Sequence, residues 1–547
     1  MRADGTPRYR ASAYVCGALG AADPEALRRL VAASPSPLVE VVSTADVRLS
    51  ATHRLRAWGE GEPTGGHLWN ALAEPGTAVD SAAAAANGWM AAGLTREPGA
   101  ATLHTDGLGL AEVYTRRVGD AVYFATRIDP LTRIVDAPLT QDEDAWASLL
   151  ALGAPVGGAT PFEEIRRLGP AESLTVRADG HVRRTTGEPD WLATDGHAPE
   201  PGEVVELLRA AIPTGDDLSV TLSGGWDSRL LAVLAVGESR DRLQAWTTDA
   251  DTGSDLDLRL AQPVAHALGA EHTVVRPGPR AWARHAPAAR RRMQFQSWMH
   301  TWLMPLAGRL HGSRRTVLDG LAGDVLLKSL FVDRVILDAP DPAAALWHRL
   351  GGWRLDRGSL LAPGTAVEMA ARSRDDVRAL VAPYAGHPAA AALSVLATRT
   401  SRVVAASPVL LFGPEVPVSV PFVDPRVLAA GLRVPVDQKL GGEFYRRVLA
   451  TAAPAGVTGL PSTNDVATPR APRRRRQVHP AAIARLSREV GADPDVVRRL
   501  GEPLRARIDE PAALRRLVAG RAAPLAVLQW AALMAQWRSD YRDVLVA

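Results

Sequence analysis

Two short runs of small residues, each with one aspartate, are where this chain could do chemistry. The first is Leu222-Ser223-Gly224-Gly225-Trp226-Asp227-Ser228, and the second, about one hundred residues on, is Gly320-Leu321-Ala322-Gly323-Asp324. Ahead of the first, Leu218, Val220 and Leu222 alternate with small polar residues as a strand does. Behind it, Leu230, Leu231, Val233 and Leu234 continue as an apolar helix. Strand, glycine turn and helix place backbone N–H groups at a helix N-terminus, where a phosphate binds. A carboxylate at that turn repels an anion unless a metal intervenes, and Mg²⁺ shared between Asp227 and phosphates resolves the conflict. One carboxylate rarely holds a magnesium nucleotide alone. Asp324, closing a strand that carries Val317 and Leu318, supplies a second.

The elements that position these loops follow from pattern. Around the first loop, Glu203–Ala211 reads as an amphipathic helix, Leu243–Thr247 as a strand, Leu256–Leu268 as a helix and Thr273–Val275 as a strand. Strands alternating with helices predict a parallel sheet, with the second loop at its C-terminal edge. From about residue 281 the pattern is largely helical. Before the Pro/Gly-rich stretch at 194–202 lies a strand-rich α/β region. It holds short strands at Val39–Val42 and Val47–Leu49, an Ala-rich stretch at Ala83–Leu94 and a helix at Asp142–Leu152. One hairpin is expected from Leu110–Tyr114 and Ala121–Ile128 around Val118-Gly119-Asp120, another over Ser173–Arg184 turning at Ala178-Asp179-Gly180.

The chain has 547 residues, 46% hydrophobic and 22% charged, with a net charge of +3. This describes two to four globular domains without a dedicated nucleic-acid surface. Cys16 is the sole cysteine, which excludes internal disulfides and multi-cysteine zinc sites. No apolar run reaches membrane-spanning length, and Ala11–Ala22 is too short and interrupted for a signal peptide, so cytoplasmic residence is expected. Among 63 Lys+Arg only Lys328 and Lys439 are lysines. The basic run Arg473–Arg476 reads as a solvated loop in preference to an anion or peptide contact.

Gly-Gly alone would suit an ordinary strand-to-helix turn; the complete S-G-G-x-D-S hexapeptide in its strand–helix context favours the functional reading. It resembles the pyrophosphate loop of AMP-releasing ATP pyrophosphatases. Together, SGGWDS and GLAGD resemble the two ATP/Mg²⁺ loops of the asparagine synthetase superfamily. Residues 160–180 resemble the close of its glutaminase domain, Gln244–Thr247 and Asp255–Leu268 its adenine-side strand and helix, and Pro421-Phe422-Val423-Asp424 its V-P-F-L-D element. The resemblance implies an α/β protein of two domains: a glutaminase-like (Ntn-type) αββα sandwich over 1–198, and over 199–547 an α/β ATP-pyrophosphatase (adenine nucleotide α hydrolase-like) synthetase domain with a largely helical C-terminal part. It implies ATP and Mg²⁺. Leu222, Ser223, Gly224, Gly225, Asp227, Ser228, Thr247, Gly320 and Gly323 would line the nucleotide, and Asp227 and Asp324 the metal.

Departures from the family pattern narrow the branch. Cys16-Gly17-Ala18-Leu19-Gly20 mimics the family's opening C-G-I-x-G but follows fifteen residues, so without processing the cysteine lacks the free α-amine that glutamine hydrolysis needs. A buried strand cysteine is the expectation. Pro417 stands where the family has its general-base Glu, with Glu415 two residues away. Leu321 replaces the Tyr of β-lactam synthetases, and Gly459–Asp465 lacks the late R-x-K lysine. The chain is most similar to the lasso peptide macrolactam synthetases. These imply adenylation of an Asp or Glu side chain of a core peptide, then attack by its N-terminal amine. The partners implied are that lasso core peptide, a leader peptidase and a leader-binding protein, with neither nucleic acid nor membrane. An α-amine has a pKa of about 8 and needs little help from a base. Lys439, Lys328 and Arg446, which matches an arginine of the family's L-L-R helix, are the candidate catalytic cations, and Thr463-Asn464-Asp465 a candidate acyl-site lining. Asparagine synthetase-like and β-lactam synthetase-like ligases, and a scaffold that has lost catalysis, are the alternatives.

Overall fold

The computed structural model describes residues 14–34, 38–44, 46–51, 56–58, 65–69, 92–214, 217–356, 358–412, 416–465 and 474–546. Three sheets organise it. The first runs β10-β8-β9-β1-β3-β2 and the second β12-β11-β7-β6-β5-β4, every pairing antiparallel. The first sheet consists of β1 (Val15–Leu19), β2 (Val39–Ser43), β3 (Val47–Ala51), β8 (Tyr114–Val118), β9 (Ala121–Ala125) and β10 (Ile165–Arg167). The second consists of β4 (Arg56–Trp58), β5 (Gly65–Trp69), β6 (Ala92–Glu97), β7 (Ala100–Thr105), β11 (Glu172–Arg177) and β12 (Val182–Thr186).

Alternation along the strands sends one set of side chains into the space between these sheets. Val15, Leu19, Leu49 and Phe124 from one sheet meet Leu94, Leu103, Leu174 and Val176 from the other in a closed core. The opposite face of the first sheet, with Cys16, Tyr114 and Tyr123, packs on helices instead. The Ala-rich stretch lies outside the described residues except for Ala92–Leu94, which begin β6.

Both expected hairpins form, each turning through a glycine with positive φ, Gly119 (+59°) and Gly180 (+78°). The first begins later than expected, because Leu110–Ala111 are drawn into a loop by Asp106. Its carboxylate accepts N–H bonds from Leu108, Leu110 and Ala111.

The third sheet is parallel and ordered β15-β14-β13-β16-β17. Its strands are β13 (Leu218–Thr221), β14 (Gln244–Thr248), β15 (Glu271–Val275), β16 (Thr316–Leu318) and β17 (Val418–Ser419). The chain builds outward from β13 to β15, then returns to add β16 and β17 on the other side. The topological switch point therefore falls between β13 and β16, where α/β sheets bind ligands beyond their carboxyl ends.

The stretch 194–202 is irregular as expected up to Pro201, where a helix (Pro201–Ala211) starts on a Glu200–Glu203 capping box. The apolar core does not stop there. The C-terminal helix Ala522–Asp540 returns to helix Glu143–Leu152, where Trp530 Nε1 donates to Trp146 O at 3.0 Å and Trp146 and Trp537 meet edge to face at 5.2 Å. No helix among the described residues is long and apolar enough to cross a membrane.

Candidate active site

β13 ends at Thr221, and the glycine turn leads into helix Trp226–Ala235 with Gly225 as its N-cap. Leu222 N–H bonds to Trp246 O (2.8 Å), so the turn stays tied to the neighbouring strand. Inside the turn, Ser228 Oγ accepts from Ser223 N–H (3.0 Å), Ser223 Oγ accepts from Gly225 N–H (3.1 Å), and Asp257 Oδ1 accepts from Gly224 N–H (2.9 Å). Three amides expected to face a phosphate are thus satisfied by the turn and by Asp257. The hydroxyls of Ser223 and Ser228 stand 3.0 Å apart at the helix N-terminus.

The second loop leaves β16 and enters helix Gly323–Lys328, which carries Asp324 in its first turn. Asp319 Oδ1 accepts from Leu321 N–H (3.0 Å), and burial pushes the Asp319 carboxyl up to about 6. Ala322 holds φ +75°, a conformation costly for a residue with a Cβ.

The two loops touch through their glycines. A Cβ on Gly320 would lie 2.8 Å from Asp227 Cβ, and one on Gly323 would lie 2.7 Å from Asp227 Oδ1. Only glycine lets the second loop close on that side chain. Asp227 is half-buried, and its Oδ1 accepts from Tyr445 OH at 2.6 Å. Burial, then the charge of Asp324, drives the Asp227 carboxyl well above the usual range, and the Tyr445 bond only partly opposes this. Asp324 Oδ1 is buried and ion-paired with Lys328 Nζ (2.8 Å), in a geometry that leaves it without a hydrogen bond. Two carboxylates near enough for the charge of Asp324 to raise the Asp227 pKa suit a divalent cation placed between them and a phosphate. Among the described residues no larger cluster of His, Cys, Asp and Glu offers a metal site.

Cations gather around Trp226. Lys328 Nζ lies 5.5 Å and Arg446 Cζ 5.7 Å from its ring, while Tyr445 meets it edge to face at 5.4 Å. Gly442, at φ +77°, allows this approach, since its Cβ would fall 2.7 Å from the indole. Lys328 also donates to Asn464 Oδ1. The segment that lacks a lysine of its own therefore receives one from the second loop. That segment is fastened to the first loop: Arg229 donates to Leu460 O and Pro461 O (both 2.7 Å), and Thr463 N–H to Gly224 O (2.9 Å).

Other expected residues are placed differently. Thr247 Oγ1 donates to Leu222 O (2.7 Å) and meets His272 Nε2 (2.8 Å), so its hydroxyl braces the turn from within the sheet. Lys439 takes no part in the contacts around Asp227 and Asp324 and lines an apolar cavity. Arg476 is half-buried against the loop after β14, donating to Asp249 Oδ2 (2.8 Å) and Asp249 O (2.7 Å). Arg475 Nε donates to Thr252 O, and Arg473 lies outside the described residues. Acidic Asp249 and Asp251 draw Arg476 inward, while Arg474 and Arg475 stay exposed as expected of a solvated loop. A cleft of about 1170 Å³ opens here, lined by Arg276, Arg474, Arg475, Arg515 and Arg521 together with Leu258, the residue after Asp257.

Glu415 lies outside the described residues, and Leu321 is buried. Cys16 sits in mid-strand in β1 with no exposure, and burial pushes its thiol up to about 12, which keeps it protonated and inert. Tyr445, Asp257 and Arg229 went unread in the sequence. A single sequence marks none of the three, since each reaches the turn from another element or points away from it.

Residues 204–457 match the asparagine synthase family model, which supports a place for this part of the chain in the asparagine synthetase superfamily and indicates an ATP-dependent, amide-forming ligase. No curated protein matches the chain.

Proposed function

We propose that this ligase is a lasso peptide cyclase, joining an Asp or Glu side chain of a core peptide to the peptide's own N-terminal amine. The observation that carries the ligase reading is the closure of the second loop on Asp227 through Gly320 and Gly323, which puts two aspartates side by side at the switch point. Asp227 and Asp324 would hold Mg²⁺, which when bound offsets the charge of the triphosphate. In the reaction, a carboxylate oxygen of the peptide attacks the α-phosphorus of ATP and pyrophosphate leaves. The amine nitrogen then attacks the acyl carbon, loses a proton, and AMP leaves.

The chain's residues divide this work. Ser223 and Ser228 offer hydroxyls to the phosphates at the helix N-terminus. Lys328, between Asp324 and Asn464, is placed to neutralise charge on the departing pyrophosphate, with Arg446 beside it over Trp226. Tyr445 fixes the orientation of Asp227. The arginine-lined cleft, which reaches Leu258 next to Asp257, would receive the carboxylate-bearing part of the core peptide.

Three departures favour peptide cyclisation over the other branches. Pro417 replaces a general base that an α-amine, with a pKa of about 8, can do without. Leu321 is apolar where β-lactam closure uses Tyr. Cys16 is walled in and protonated, which argues against glutamine hydrolysis. What remains for the protein is to hold amine and acyl group together.

The test is to incubate the chain with ATP, Mg²⁺ and leader-free core peptides bearing Asp or Glu near the ring-closing position, with mass spectrometry of the products. Loss of one water and one new Asp or Glu side-chain amide to the N-terminus is the expected result. ATP-dependent amidation of free aspartate, with the peptides unchanged, would overturn the cyclase reading and keep the ligase.

A further inference from the structure

A second cavity, of about 790 Å³, lies among helices Pro342–Leu350, Thr365–Val381 and Val436–Lys439, the segment 382–394, and residues 193–196. That size suits a small-molecule site. The aspartate loops do not line it; its nearest approach to them in sequence is Ser329, after Lys328. Its walls are apolar, with Leu337, Leu346, Val381, Leu432 and Val434 among them.

Besides Arg378, two cations break that pattern. Lys439 is only 1% exposed and lines the cavity, yet no described residue gives its amine a hydrogen bond or an ion pair. Arg433 also lines the cavity, and its Nε is buried without a hydrogen-bond partner. The one carboxylate in the lining is Asp341, which is already engaged: it accepts from Arg378 at 2.8 Å and caps its own helix through Ala344 N–H. An unpaired cation beside apolar walls is costly unless something supplies the counter-charge.

We propose that this cavity binds an apolar ligand through its carboxylate, with Lys439 and Arg433 as the partners of the anion. Burial pushes the Lys439 amine down to about 7, and a carboxylate bound beside it would oppose that shift by favouring the charged form. The same chemistry comes from two sources, a free small-molecule acid or the C-terminus of an apolar peptide.

Calorimetric titration of the full chain without nucleotide separates them. One arm compares 4-phenylbutyrate with 4-phenylbutyramide; the other compares N-acetyl-Leu-Val-Phe with its C-terminal amide. The expected result is that in at least one pair the acid binds about tenfold or more tightly than the amide, and the pair identifies the source. Lys439→Met should erase that preference. Ala382→Trp, at an exposed lining position, should weaken binding of the acid without touching either cation. Failure of both acids to bind, equal binding of acid and amide, or an unchanged preference in Lys439→Met would overturn the proposal. The titration uses no ATP, so its failure leaves the ligase reading standing, and a failed ligase assay leaves the cavity standing.

Discussion

Replacing Tyr445 with Phe removes the 2.6 Å bond to Asp227 Oδ1 and leaves the ring packed on Trp226. A hydrogen bond to a charged group contributes about 1.5–3 kcal/mol, so kcat/KM for pyrophosphate release should fall about tenfold to a hundredfold. Circular dichroism should show an unchanged fold. Lys328→Ala should cost more, about 10²–10³ in kcat, as expected for a group acting on developing charge, with partial recovery in Lys328→Arg. Cys16→Ala should leave turnover unchanged, because the thiol is enclosed and protonated; lost turnover would contradict that reading.

Lys439 gives the clearest dependence on pH. Burial lowers its pKa from 10.5 to about 7, so between those values the unfolded chain binds a proton that the folded chain does not. Stability of the wild type therefore rises with pH across that window, and the full penalty is present below about 7. Lys439→Met has no such group. In urea melts it should be the more stable by up to about 5 kcal/mol near pH 6, with an advantage that shrinks as pH approaches about 10.

At the level of elements, the glycines set the distance between the loops. Gly323→Ala puts a methyl 2.7 Å from Asp227 Oδ1, and either that carboxylate or the second loop must shift. Pyrophosphate release should drop by about two orders of magnitude, the scale of a displaced catalytic group, with a smaller loss in Tm. Both loops are legible in the sequence as turns because each runs from an apolar strand through small residues into an apolar helix. The hairpins were legible because Gly119 and Gly180 take conformations closed to other residues. The strand expected at Leu110 was misread because a carboxylate on Asp106 outcompetes the ladder for its N–H. The family resemblance places Thr247 at the nucleotide, and in the structure its hydroxyl is bonded to Leu222 O. Lys328 was one of three cations the sequence could not rank. Its contact with Asn464, across 136 positions, separates it from the others.

Across the whole molecule, the boundary expected near 198 marks a change of sheet but not a break in packing. Leu139 pairs with Leu545, and Trp530 hydrogen-bonds to the backbone of Trp146. A chain ending at residue 198 would expose the face of Trp146 that Trp537 covers. It should fail to fold alone, giving no cooperative thermal transition. Trp530→Ala should cost about 3–5 kcal/mol and shift the unfolding of both halves together, as followed by tryptophan fluorescence. Separate transitions for the two halves would contradict a shared core.

The most direct measurement is magnesium- and peptide-dependent pyrophosphate release by the wild type, Asp227→Ala and Asp324→Ala. Release by the wild type alone, lost on removing Mg²⁺ or on substituting either aspartate, is the expected result. Undiminished release by a folded Asp227→Ala or Asp324→Ala chain would contradict the claim that these two carboxylates together hold the nucleotide's metal.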